Sequence, residues 1–269
     1  MRLKKKYLYS DMDRTVIGND KTISQRNQQA LRLFTSLGGR FGVATGRNAT
    51  IVRPYLRYLP VNGPSIVYNG AAVYDFAAGK FLHRQFFPAA LGEEIMRLAL
   101  SVYPKGNAQA FGEGPILLLN PDGVTDHYIQ QENQPHAFSS VKEGCAAAFK
   151  VQVYGEHEQL LEVQAAVEER FHGEGYLCTF SAPFYLEYLP VGASKGGALR
   201  WIEENLGQDR EEVAAIGDFY NDLEMLQAAS LGAAVKNAPE EVRKAADVVV
   251  ADCDSHALED FILHYLVEE

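Results

Sequence analysis

Short apolar runs recur along the chain, and most end abruptly in a polar residue: KYLYSDM, FGVAT, SIVYN, VAAIGD, LGAAV and DVVV. Their length predicts buried core strands. Between them, apolar positions recur at helical spacing, with helices predicted to begin near Ser24, Ser194, Phe219, Pro239 and Ser255. Ser24 and Ser255 have the chemistry of N-caps, and Pro239 that of a first helical residue. The alternation of strand and helix predicts an α/β fold with a mostly parallel sheet covered by helices.

The middle of the chain follows a different rhythm. From about His83 to Tyr188 come a long helix (PAALGEEIMRLALSV), a strand (PILLLN), a second strand (AAFKVQVYG), a helix (EQLLEVQAAVEER) and a strand (FYLEYL). This smaller α+β pattern reads as an insertion, because runs ending in carboxylates resume only after it. The predicted domains are therefore 1–82 with 189–269, and an inserted 83–188.

Composition narrows the partners. The 269 residues are 47% hydrophobic, enough for a sizeable core, and carry a formal net charge of -10. An acidic surface repels phosphate polymers, so neither nucleic acid nor an anionic membrane is an expected partner, and any anionic ligand is small and locally held. The basic start MRLKKKYLYS lacks a signal-peptide apolar region, and no run approaches the roughly 20 residues of a membrane span. Cys145, Cys178 and Cys253 are widely spaced, without a CxxC pair, which fits a reducing cytoplasm rather than a disulfide framework. The seven histidines show no paired metal spacing. A monomer or homodimer is expected.

Loops at the carboxyl ends of parallel strands gather in one crevice. Here those ends carry Asp11 and Asp13, then Thr45, then Asn69, then Asp218, Asn221 and Asp222. Taken singly, each is equally a helix cap or a turn residue. Together they predict a pocket of carboxylates, which repel one another and call for a compensating cation; all-oxygen ligation suits Mg²⁺. A phosphate dianion entering such a pocket meets about 4 kcal/mol of repulsion per pair of unit charges at 4 Å. Lys195, followed by Gly196 and Gly197, is a candidate to offset it, or else a surface lysine in a first helical turn. Thr45 and Asn69 are candidate donors to phosphoryl oxygens.

The order DMDRT, VATGR, SKGG and GDFYND resembles the four motifs of the haloacid dehalogenase superfamily. IVYNGAAVYD, SAPFYLEYLP and KNAPEEVRKAADVV resemble its Cof-like branch, and the resemblance covers nearly the whole chain. It implies a Rossmann-like, doubly wound core with an inserted α+β cap, and a Mg²⁺-dependent phosphatase acting on small phosphomonoesters, sugar phosphates foremost. It further implies Asp11 as nucleophile, forming an aspartyl-phosphate, and Asp13 as general acid and base. Asp11, Asp13 (through its carbonyl) and Asp218 would hold the metal, with Asp222 in indirect support. Thr45, Gly46, Arg47, Asn69, Gly70, Lys195 and Asn221 would line the phosphate site. For Arg47, a plain salt bridge is the alternative.

The first motif departs from the family in carrying Arg14 where glycine is usual. Its side chain either points outward to solvent or reaches toward the leaving group. Lys150 on a cap strand faces either the crevice or solvent, and Asn237 is a candidate to position Lys195 or the substrate. Two rival functions remain open from sequence. One is a phosphomutase or phosphotransferase using the same aspartyl-phosphate; the other is a sensor of phosphorylated metabolites that binds without turnover.

Overall fold

The structure, a computed structural model, describes residues 1–131 and 133–268. The chain forms two compact units, Met1–His83 with Ser194–Glu269, and Arg84–Ala193.

The first unit is built on a parallel sheet in the order Val248–Val250, Leu231–Val235, Val213–Gly217, Tyr7–Ser10, Arg40–Val43. The apolar runs form it because their side chains are buried on both faces; Leu8, Phe41, Val43, Ala215 and Ile216 are fully inaccessible. From the Tyr7–Ser10 strand the chain winds outward through Arg40–Val43. After the second unit it resumes on the opposite side, at Val213–Gly217. Strand order thus reverses between Tyr7–Ser10 and Val213–Gly217, and the carboxyl ends flanking that point are where an open α/β sheet binds its ligand. The α/β reading of the sequence holds.

Serine caps two helices of this unit, one of them at Ser24 as expected and the other at Ser194, read from sequence only as a helix start. Ser24 accepts the Asn27 N–H at the start of Gln25–Ser36, and Ser194 accepts the Gly197 N–H at the start of Lys195–Leu206. Two other starts differ from expectation. Pro239 stays extended just outside Glu240–Ala245. Ser255 ends a short turn capped by Asp252, and the next helix, Ala257–Phe261, starts after His256 in left-handed conformation.

The SIVYN run is a second correction. Its strand, Ser65–Val67, pairs antiparallel with Ala72–Asp75 in a three-stranded sheet that includes Lys80–Arg84, and meets the parallel sheet at the Ala44–Ile66 bridge. Tyr68, Asn69 and Gly70 all have positive φ, so the chain reverses at once instead of entering a crossover helix.

The second unit has a six-stranded sheet in the order Tyr176–Ala182, Tyr185–Pro190, Lys150–Tyr154, Asn107–Phe111, Ile116–Leu118, His136–Phe138. Helices Ala89–Val102 and His157–Phe171 cover one face, burying Ile95, Met96, Val151, Val153, Val163 and Leu186. The opposite face carries buried polar groups. Lys150 there pairs with Glu187 at 2.9 Å, both side chains almost inaccessible, which excludes the solvent-facing reading of that lysine. Strand Asn107–Phe111 (NAQAF) and strand Tyr176–Ala182 (YLCTFSA) were not among the expected elements, because neither has a run of apolar residues to announce it. Among the described residues, no helix is long and apolar enough to cross a membrane.

Candidate active site

The polar ends of the two central strands converge. Asp11 follows Ser10, and its backbone N–H donates to the Ile216 carbonyl of the adjacent strand, carrying the ladder one residue past the strand end. Asp218 follows Gly217 on that neighbour. Asp222 turns back toward them: its Oδ2 accepts the backbone N–H groups of Asp218 and Phe219 at 3.0 and 3.2 Å. Gly217 makes that approach possible, since a Cβ there would lie 2.4 Å from the Asp222 carboxyl carbon. One carboxylate oxygen from each of Asp11, Asp218 and Asp222 lies within 4.8 Å of the others, and all three residues are buried.

Among the described residues, one buried ammonium stands between them. Lys195 Nζ donates to Asp11 Oδ1 at 2.7 Å and to Asp222 Oδ1 at 2.6 Å, with no accessible side-chain surface. It is not a surface lysine. Its place is set by Ser194, which caps its helix, and by Gly70, which lies against that cap. A Cβ on Gly70 would sit 2.0 Å from the Ser194 carbonyl oxygen, and its φ of +99° suits only glycine.

Two of the three buried carboxylates thus share one ammonium, and Asp218 has the half-exposed Arg14 guanidinium 3.9 Å away. Burial, then repulsion from Asp222 and Asp13, outweighs the pull of Lys195 and raises Asp11 to about 7. Burial, with the Asp11 and Asp222 charges, raises Asp218 to about 8 against the pull of Arg14 and Lys195. Burial works to discharge Lys195, but the two aspartates override it and hold its pKa above the ordinary lysine value. The excess negative charge and the all-oxygen donor set fit a hard divalent cation.

Asp13 lies apart from this carboxylate group. Arg47 grips it with two hydrogen bonds, Nε to Oδ2 and Nη2 to Oδ1, both 2.7 Å. The fork geometry is the strong form of a carboxylate pair. Removal from water would raise the Asp13 pKa, but Arg47, then Lys21 and Lys195, hold it below the ordinary carboxylate value. Of the two sequence readings of Arg47, the structure shows the salt bridge. Its guanidinium also lies 5.3 Å from the Tyr55 ring centroid. Lys21 and Tyr55 escaped sequence reasoning, since a polar loop and a solitary tyrosine carry no spacing signal.

The remaining candidates assemble beside these groups. Thr45 is buried, and its Oγ1 accepts the Arg47 backbone N–H at 3.1 Å. The Thr45 carbonyl accepts the Asn69 N–H, and Asn69 Oδ1 accepts from Asn221 Nδ2 at 3.0 Å. Gly46 packs against the Asn69 amide, which a Cβ would meet at 3.0 Å. Asn237 is placed otherwise than expected: it donates to the Arg14 carbonyl at 3.0 Å and accepts from the Cys253 N–H at 2.9 Å. It braces a loop and, among the described residues, makes no hydrogen bond to Lys195.

Residues 8–262 match the family model of the haloacid dehalogenase-like hydrolases. The chain belongs to that family. It is an enzyme of the hydrolase class, and its relatives carry phosphatase names. The HMP-PP phosphatase of Escherichia coli O6:H1 is 28% identical, over 95% of this chain and 94% of its own. The pyridoxal phosphate phosphatase YbhA of Escherichia coli K12 is 26% identical, over 96% and 97%. The crystal structure of a haloacid dehalogenase-like hydrolase from Bacteroides thetaiotaomicron superposes with a TM-score of 0.84 at 28% identity, covering 97% of this chain and 99% of that one.

Proposed function

We propose that the chain is a Mg²⁺-dependent phosphatase that hydrolyses small phosphomonoesters, sugar phosphates among them, through an aspartyl-phosphate on Asp11. Residues 84–193 are the inserted cap domain of this reading. The observation that carries it is the buried group of Asp11, Asp218 and Asp222 around Lys195, with Asp13 held separately by Arg47. A binding protein gains nothing from burying a nucleophile in repulsion with two other carboxylates, whereas a phosphoryl-transfer enzyme needs that charge balanced on ligand binding.

In this reading Asp11, deprotonated, attacks phosphorus with the carboxylate oxygen not bonded to Lys195, and the P–O ester bond breaks as its oxygen takes a proton from Asp13. Asp13 is a carboxylate at rest and takes that proton up from solvent as the substrate binds. Water, deprotonated by Asp13, then opens the aspartyl-phosphate and releases inorganic phosphate. Lys195 and the Thr45 hydroxyl neutralise the equatorial phosphoryl oxygens, and Asn69 with Asn221 fixes the side of the site they line. Arg47 sets the carboxyl plane of Asp13. Mg²⁺, held by Asp11, Asp218 and the Asp13 carbonyl, would supply charge neutralisation for the incoming phosphate, and Asp222 would keep the turn and Lys195 in place.

The experiment is phosphate release from a panel of small monoesters, sugar phosphates included, with and without Mg²⁺, for wild type and Asp11→Asn. Metal-dependent release that disappears in the variant supports the reading. Isomerised substrate without release would replace it with the mutase, and release unaffected by Asp11→Asn would refute the covalent mechanism.

A further inference from the structure

We infer that Arg14 is a specificity-determining residue that receives a second anionic group on the substrate's leaving portion. The inference rests on the phosphatase reading and names a substrate class for it: phosphomonoesters that carry a carboxylate or a further phosphoryl group near the ester. Three observations lead there. Arg14 sits at φ +60°, a conformation that strains any residue with a Cβ and that glycine occupies freely. Glycine here would relieve that strain at the cost of the guanidinium.

The backbone at this point is tied down. The Arg14 carbonyl accepts from Asn237, whose own oxygen is held by the Cys253 N–H, so the residue is anchored from a separate strand-end loop. The side chain is half exposed, and its Nε lies 3.9 Å from Asp218 Oδ2. That distance is too long for a hydrogen bond, and the guanidinium makes none among the described residues. The contrast with the other cations of the site is direct. Lys195 is hydrogen-bonded to Asp11 and Asp222, and Arg47 to Asp13. Arg14 alone of these three presents a planar fork of unspent donors at the rim of the carboxylate group, and such a fork matches a carboxylate or phosphoryl group.

The test uses two non-hydrolysable ligands that differ by one anionic group, methylphosphonate and phosphonoacetate, titrated calorimetrically in the presence of Mg²⁺. Arg14→Gln should weaken phosphonoacetate roughly tenfold, the scale of one lost charged hydrogen-bond pair, while methylphosphonate changes by less than about twofold. Arg14→Lys, which keeps the charge without the fork, should fall between wild type and Arg14→Gln. In turnover, 3-phosphoglycerate should lose kcat/KM relative to glycerol 3-phosphate in Arg14→Gln, mainly through KM. Equal weakening of both phosphonates, or of neither, would overturn the role of Arg14 alone. Failure of wild type to bind methylphosphonate would overturn the phosphatase reading and this inference with it.

Discussion

Arg47 and Asp13 meet through two parallel hydrogen bonds of 2.7 Å, so the residue proposed as acid and base rests as a carboxylate clamped in one plane. Its pKa is held low by that clamp. A depressed carboxylate adds stability that is present above its unfolded pKa and is lost as pH falls through its folded pKa. Arg47→Met should therefore be less stable than wild type near neutrality, with the difference vanishing in strong acid. The limb of the pH–rate profile governed by Asp13 should move to higher pH. Urea titrations across pH, together with kcat measured over the same range, check both; an unmoved limb would remove Asp13 from proton transfer.

Asp11 and Asp218 lie on the opposite side of their ordinary value. Both keep protons in the folded state, up to about 7 and about 8, that the unfolded chain releases near 4. Metal-free protein should accordingly lose stability as pH rises from about 4 to 8. Mg²⁺ should raise the melting temperature, and by more at pH 8 than at pH 6, because its ligands must be deprotonated. Thermal scans in chelator and in Mg²⁺ measure this, and Asp218→Asn should erase most of the metal-dependent gain.

Among the described residues, Lys195 is the one buried ammonium between Asp11 and Asp222. Lys195→Met leaves two buried carboxylates without their partner, a loss of about 3–5 kcal/mol. Asp222→Asn in the same background should restore part of it, while phosphate release stays abolished. A single variant as stable as wild type would show that the pair contributes little to folding.

Asp11→Asn should retain native circular dichroism and lose at least about a thousandfold in turnover, since a nucleophile cannot be replaced by its amide. Rapid-quench detection of phosphoprotein in wild type and not in this variant is the accompanying measurement.

Gly70→Ala drives a methyl group into the Ser194 carbonyl and forces a side chain to φ +99°. A destabilisation of about 2–5 kcal/mol is expected, with loss of activity in whatever fraction folds, because the displaced element carries Lys195. Gly46→Ala, which meets only the Asn69 amide at 3.0 Å, should be milder.

Much of the site was legible because an apolar run that stops at a carboxylate marks both a strand and the position of its end. Asp11 and Asp218 are marked in that way; Thr45 ends such a run in a hydroxyl, and Lys195 is marked by its place at a helix start before Gly196 and Gly197. Pairing choices were not legible. Arg47 reaches Asp13 across 34 residues, and nothing in VATGR distinguishes a phosphate contact from an ion pair. SIVYN reads as a parallel core strand until three consecutive positive φ angles turn it back on itself. Gly70 shows no more in sequence than a flexible residue, since its constraint comes from Ser194, more than a hundred residues away. Polar strands such as NAQAF pair because their neighbours supply the ladder, which their own composition does not advertise.

The division of the first unit into two segments has a consequence for biosynthesis. The Tyr7–Ser10 strand borders Val213–Gly217, and Asp11 binds a lysine 184 residues further on. At about 5–20 residues per second, roughly 10–40 s separate the emergence of Asp11 from that of Lys195. During that interval the Tyr7–Ser10 strand, which the finished sheet pairs on both sides, has one open edge, the exposure that invites pairing with other chains. Residues 84–193, contiguous in sequence, emerge entirely within the same interval. The nascent chain therefore completes its insertion before its core, and its yield in the cell depends on how well the N-terminal strands are sheltered until the last third arrives.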